Sequence, residues 1–323
     1  MTTTGKSGLA FVASALAITL TLIGCATPQK PPPRIARAPT ASRPAPPAAA
    51  ETADRGLAAQ ASAFESFMRH ARGIDPGFSG PSDVAQALQT AASHEPHELE
   101  AGMVAYAALA ALQEPRFVAA VRAEPSPAEF ARRLSADPRA ALALQGGEAA
   151  GARASGALYA QGEGLAGEGE KVKHAAYAVQ HQAWSKAKVP DAAGRLSQVK
   201  RLSAESYRPS REDGAQLRLA LAENTRRPGA PSPLVARSVA LAALSVLGEE
   251  ARGRSLMSEP RTGDCLHMAK LNLYQCLASA GPHYEDIYCL GQHAMIDPGQ
   301  CVVDATRSAT PRQVAMNRAH SAR

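Results

Sequence analysis

Residues 264–301 read DCLHMAKLNLYQCLASAGPHYEDIYCLGQHAMIDPGQC and hold Cys265, Cys276, Cys289 and Cys301 together with His267, His283 and His293. Thiolates and imidazoles that converge can bind zinc, paired thiols can do redox chemistry, and oxidised cysteines can tie chain segments together. The spacing is C-x10-C-x12-C-x11-C. Zinc motifs place their paired ligands roughly two to four residues apart. No CxxC or CxxCH occurs, which disfavours thioredoxin-like chemistry and haem attachment. Disulfides fit this spacing best, provided that the compartment is oxidising.

The compartment is written at the N-terminus. Residues 1–24 have the form of a secretory signal: Lys6 supplies a positive start and an apolar run follows over 9–23. The run ends in LIGC at 22–25. This resembles the lipobox of bacterial lipoproteins, with an aliphatic residue at −3, a small residue at −1 and then the lipidated cysteine. The resemblance implies diacylglycerol on the Cys25 thiol, cleavage before Cys25 and an acylated new N-terminus. Ala26, rather than an aspartate, follows Cys25; in that class this implies the outer membrane. The C-terminal block is also similar to part of alphaproteobacterial envelope proteins, a resemblance that supplies no activity. Several acyl chains make a stable anchor, so the membrane is an expected partner through Cys25.

An oxidising envelope changes the weight of the cysteine block. With Cys25 assigned to lipid, four cysteines remain, and an even number in a compact block reads as two disulfides. A helix starting at Asp264 and running from 265 to about 279 puts Cys265 and Cys276 on one stripe, roughly 16 Å apart along the axis. That is beyond disulfide reach, so two pairings remain. A turn at Gly281-Pro282 and a second helix over 284–295 favour the nested one, with Cys276 to Cys289 near the turn and Cys265 to Cys301 at the open end. Asp297-Pro298-Gly299 is expected to turn the chain again.

Residues 25–50 carry the anchor and then a proline-rich stretch, with eight prolines and four basic residues between Thr27 and Ala50. Such a composition builds no core and reads as an extended tether, reaching on the order of 70 Å at about 3.1 Å per residue. Residues 51–260 form the expected helical domain, 261–304 a hairpin packed on it, and 305–323 a basic tail. Of the 323 residues 45% are apolar but only 4% aromatic. Alanine dominates, which favours helix and closely approaching helices. The expected fold is an all-α antiparallel array, with helices near 53–72, 82–93, 97–113, 115–122, 127–135, 138–187, 191–205, 212–225 and 233–250. Pro127, Pro138 and Pro233 mark helix starts, and Ser126 with Glu129 reads as a capping box. Eight glycines over 146–169 either break the long helix or admit a close neighbour. Within them 162–167 spells GxGxxG, but no strand precedes it, so dinucleotide binding is not supported.

On the expected long helix His174, Tyr177, His181 and Trp184 fall on one face. Aromatic rings there suggest a sugar- or peptide-binding surface, against the alternative of a packed helix face. Residues 93–100, SHEPHELE, cluster two histidines with three glutamates, yet the pattern fits a helix start with acids near its positive end better than a metal site. No P-loop or GxSxG elbow is present, and no cofactor or metal is implied. The net charge of +6 comes without a tight basic block, so nucleic acid is not an expected partner. The expected function is a lipid-anchored envelope protein with an accessory, scaffold or assembly role, and an envelope protein or polysaccharide as partner. The alternatives are a hydrolase-type envelope enzyme, or a glycan- or peptidoglycan-binding module, in either case possible as a released protein.

Overall fold

The computed structural model describes residues 56–223 and 225–308. The signal segment, the lipobox with Cys25, the proline-rich stretch and the tail from residue 309 onward lie outside the described residues. Among the described residues the chain is all helix: α1 (Leu57–Arg72), α2 (Pro81–Ala92), α3 (Pro96–Ala111), α4 (Pro115–Arg122), α5 (Pro127–Ala136), a 3-10 turn (Pro138–Ala143), α6 (Gly147–Val179) and the short α7 (Ala183–Lys186). Then come α8 (Ala192–Leu202), α9 (Arg211–Ala222), α10 (Pro233–Val246), a second 3-10 turn (Glu250–Leu256), α11 (Pro260–Ser279), α12 (His283–Cys289), a π-helical segment (Leu290–Ile296) and α13 (Asp297–Ala305). No described helix is long and apolar enough to cross a membrane.

Proline sets many of the starts. Pro81, Pro96, Pro115, Pro127, Pro233 and Pro260 each stand first in a helix, where the missing N–H has no intrahelical partner to lose. Asp137 and Ser232 cap as their types suggest, accepting from Arg139 N at 3.1 Å and Val235 N at 3.1 Å. Ser126 does not: it occupies the N-cap of α5 but makes no side-chain cap bond. The capping box that does form joins Ser210 and Asp213 at the start of α9. Glu259, not Asp264, caps α11, accepting from Thr262 N at 3.0 Å.

Helix α3 lies at the centre. From Ala101 to Ala111 its sequence is apolar on every face, and almost every residue of the helix is buried, the pattern of a core helix. It packs against α1, α6, α10 and α11. Gly102 lets α1 come close, since a Cβ there would stand 2.8 Å from the Gln60 carbonyl. Phe64 of α1 then meets Tyr106 of α3 with ring centroids 5.3 Å apart. The Tyr106 hydroxyl, deep in the core, takes a 3.1 Å hydrogen bond from Gln161 Nε2 of α6. Burial pushes that phenol up to about 12.

The expected helix over 138–187 is divided. Gly146 sits at φ +82°, a left-handed position that suits glycine, and separates the 3-10 turn from α6. At the other end α6 stops at Val179, whose carbonyl is taken by the buried Ser185 hydroxyl. Between these breaks the glycine-rich stretch is an unbroken helix, and Gly156, Gly162 and Gly169 in it serve close approach. A Cβ on Gly162 would stand 2.7 Å from the Gly299 carbonyl, and one on Gly291 would stand 2.5 Å from Lys173 N. Two helices thus cross almost backbone on backbone. The GxGxxG stretch lies inside α6, against another helix.

The turn expected at 297–299 is absent. From His283 to Ala305 the second arm is one continuous helical path. In a regular α-helix the Pro298 ring would clash with the carbonyl four residues back. The wider π turn immediately before it accommodates the ring.

The crossing yields a sharp prediction. Gly291→Ala forces a methyl group into the α6 backbone and should destabilise by about 3 kcal/mol, the upper end of typical overpacking costs. Gly167, on the exposed side of α6, has nothing within 4 Å of its would-be Cβ. Gly167→Ala should therefore stabilise, by at most about 1 kcal/mol. Urea melts of the two variants test the contrast; equal effects would contradict the packing role.

Candidate functional site

The four C-terminal cysteines form two nested disulfides. Cys276 and Cys289 are joined near the hairpin turn with Cα atoms 5.7 Å apart, and Cys265 and Cys301 at the open end with Cα atoms 5.8 Å apart. Helix α11 is one arm; α12, the π segment and α13 are the other. The second arm lies along α6 through Gly291 and Gly299.

The hairpin turn is held from outside by the segment after α6. Val189 N donates to the Gly281 carbonyl at 2.9 Å, and His283 N donates to the Ala187 carbonyl at 3.3 Å. Arg195 of α8 reaches under the turn. Its guanidinium donates to the Asp286 carboxylate and to the Leu277 carbonyl, so it caps the end of α11 and pairs with the first turn of α12 together. Asp286 is nonetheless pushed up to about 6, because its burial outweighs the Arg195 partner.

This arrangement redistributes the expected aromatic face. His174 and Tyr177 lie on the last turns of α6 with rings 6.3 Å apart. His181 and Trp184 lie beyond the helix end, in the turn and in α7, so the four do not share one face. His181 is exposed in the turn. Trp184 packs on His283 at 6.5 Å, and its indole N–H donates to Gln182. His283 is buried, not exposed as its position beside the turn suggests, and burial lowers its imidazole. The structure instead brings Tyr177 to Tyr288 of the hairpin, edge to face, with centroids 6.4 Å apart and planes at 80°.

Beside these rings lies a cleft of about 210 Å³. Tyr177, Tyr284 and Tyr288 border it, and Ala176, Ala280 and the Cys276–Cys289 disulfide contribute its apolar wall. Gln180, Ser279 and Glu285 add polar groups. Tyr177 is 53% exposed and Tyr288 36%, whereas Phe64, Phe117, Phe130 and Tyr106 are fully buried. Tyr284 and Tyr288 lie outside the stripe from His174 to Trp184. Their spacing of four, in a chain so poor in aromatics, is the sequence signal that they share a helix face.

Two further polar clusters lie elsewhere. In the first, Arg69 of α1 donates to Asp213 of α9 at 2.8 Å, and Tyr207 donates to the same carboxylate at 2.9 Å. Burial alone would raise Asp213, but the Ser210 amide and hydroxyl, with Tyr207, outweigh it and hold the carboxyl at about 2. Ser66 and His70 approach here at 3.2 Å. Ser66 is fully buried and donates to Tyr207 at 2.8 Å, so this serine–histidine contact belongs to a packing network and not to an open nucleophile.

In the second, Lys270 of α11 is buried against the end of α2. Its ammonium donates to the Ala92 carbonyl at 3.0 Å and lies 3.2 Å from His94 Nδ1. Burial first, and then their mutual repulsion in the case of His94, lower both groups well below their ordinary values. The unfolded chain therefore binds more protons, and stability falls as pH drops below the ordinary lysine range, at about 10.4, and falls further below the histidine range, at about 6.5. Lys270→Met removes the lysine's share of that loss. It should raise the melting temperature more at pH 6 than at pH 9; a pH-independent change would contradict this account.

Of the acidic run 93–100, Glu95 caps α3, accepting from Glu98 N at 2.8 Å, and His94 pairs with Lys270. No group of three or more potential metal ligands converges among the described residues. Comparisons with family models, with curated proteins and with solved structures find no match to this chain.

Proposed function

We propose that the chain is a lipid-anchored protein of the cell envelope, held in the outer membrane through Cys25, with a non-enzymatic accessory, scaffold or assembly role. Its recognition face is the tyrosine cleft on the stapled hairpin. The lipobox resemblance at 22–25 supports the anchor, and paired cysteines in nested disulfides suit an oxidising compartment. The cleft carries the recognition role. Exposed tyrosines on α6 and on the covalently braced hairpin, the most exposed large rings among the described residues, make a preorganised surface that loses little freedom on binding. Tyrosine is also enriched at the energetic centres of interfaces.

Two cell experiments test the proposal. Palmitate labelling should disappear in Cys25→Ala; unchanged labelling would overturn the anchor. A photocrosslinking amino acid at position 177 should trap a discrete envelope partner at native expression. Diffuse products equal to those from the exposed position 219 of α9 would overturn the recognition role.

A further inference from the structure

The cleft carries a more specific reading, which rests on the recognition role proposed above. We infer that it takes a proline-rich segment of a partner protein in the extended polyproline II conformation, with a basic residue set beside Glu285. Four observations point to this class of ligand.

The first is size. At about 210 Å³ the cleft is smaller than the roughly 300 Å³ at which pockets begin to engulf a whole small molecule. It can seat ring-sized side chains of a ligand that runs on across the surface.

The second is shape. Tyr177 and Tyr288 stand at 80° to each other, forming an open corner with two flat apolar faces. Pyrrolidine rings pack on such faces, and aromatic-lined grooves are the recurrent way in which polyproline segments are bound.

The third is the distribution of polar groups. The lining combines alanine and disulfide with donors in the tyrosine hydroxyls and the Gln180 amide. A proline segment presents carbonyl acceptors and no proline N–H, so these donors meet its needs. A sugar would bring hydroxyl groups against the alanine and disulfide lining, where unpaired polar groups are costly.

The fourth is charge. Glu285 is the ionisable group in the cleft wall. Its Oε2 is held by Gly281 N at 2.8 Å, while Oε1 lies beside the Tyr284 hydroxyl at 3.5 Å. The carboxylate is thus fixed at the edge, where it suits an arginine or lysine flanking the prolines. Because a polyproline segment is already stiff, little ordering entropy opposes its docking.

The test uses the full mature chain in detergent and a fluorescein-labelled proline oligomer ending in arginine, read by fluorescence anisotropy. Saturable binding is expected, weakened roughly tenfold or more by Tyr177→Ala and by Tyr288→Ala. Each variant is first checked for an unchanged melting curve; both side chains are exposed, so the fold should persist. Glu285→Gln should weaken the arginine-ended probe severalfold and leave an arginine-free proline oligomer unaffected. Binding that ignores both tyrosine substitutions, or no saturable binding, would overturn the inference. So would N-acetylglucosamine oligomers binding at the same tyrosines while the proline probe fails. Discrete crosslinks from position 177 without proline binding would remove this inference alone. Proline binding without any discrete crosslink would remove the cellular recognition role alone.

Discussion

Replacing Cys265 and Cys301 together by serine should lower the stability of the folded chain by about 4 kcal/mol, on the chain-entropy estimate for a closed loop of this length. The loop spans 36 residues, and a loss of that size would move the melting temperature by roughly 10 °C in a domain this large. The Cys276–Cys289 bond closes a loop of only 13 residues, and the same replacement there should cost about 3 kcal/mol. The order of the two effects is the informative part. The outer staple joins the two arms at their open end, whereas the turn near the inner one is also held by Val189 and Arg195. The inner variant should therefore keep more of its native far-ultraviolet dichroism at 37 °C. Thermal melts of both variants under non-reducing conditions decide it, and a larger loss from the inner pair would contradict the account.

Arg195→Ala should be comparably damaging, at about 3 kcal/mol, because it strips the partner from a buried carboxylate. The Arg195 side chain is only 11% exposed and that of Asp286 2%, so solvent screens the pair weakly. The change also frees the Leu277 carbonyl at the end of α11. The pH dependence has a definite sign. Asp286 already sits near 6 with its partner present, and without Arg195 it moves higher. At pH 5 it can then be protonated and neutral, whereas at pH 8 the fold must hold an unpaired charge or a proton taken at a cost. The variant should lose more stability at pH 8 than at pH 5. Adding Asp286→Asn should recover part of the loss at pH 8. No recovery in the double variant would show that the carbonyl contacts, and not the ion pair, carry the effect.

Much of the architecture was legible in the residues. Proline and capping residues mark local events, and the starts at Pro127 and Pro233 needed no tertiary information. The disulfide pairing followed from counting turns of helix and placing one bend at Gly281-Pro282. What failed did so where distant contacts decide. Residues 180–187 are compatible with helix, and α6 ends because Ser185 claims the Val179 carbonyl. Asp297-Pro298-Gly299 has the composition of a turn, yet the arm runs straight through it. A π turn makes room for Pro298, and Gly299 is spent on contact with α6. The His174–Trp184 stripe dissolved for the same reason as the long helix, while Tyr177 gained partners from a segment more than a hundred residues away. The ambiguity of the glycine-rich stretch could be resolved only by knowing which helix lies against it.

The most direct measurement is peptide mapping by mass spectrometry, without reduction, of the mature protein extracted from its native membrane. It reads both ends of the account together: the anchor and the staples that shape the cleft. The account predicts an N-terminal peptide starting at Cys25 and carrying the mass of diacylglycerol and an acyl chain, with Cys265 linked to Cys301 and Cys276 to Cys289. An unmodified Cys25, or free thiols or crossed linkages among the four C-terminal cysteines, would contradict it.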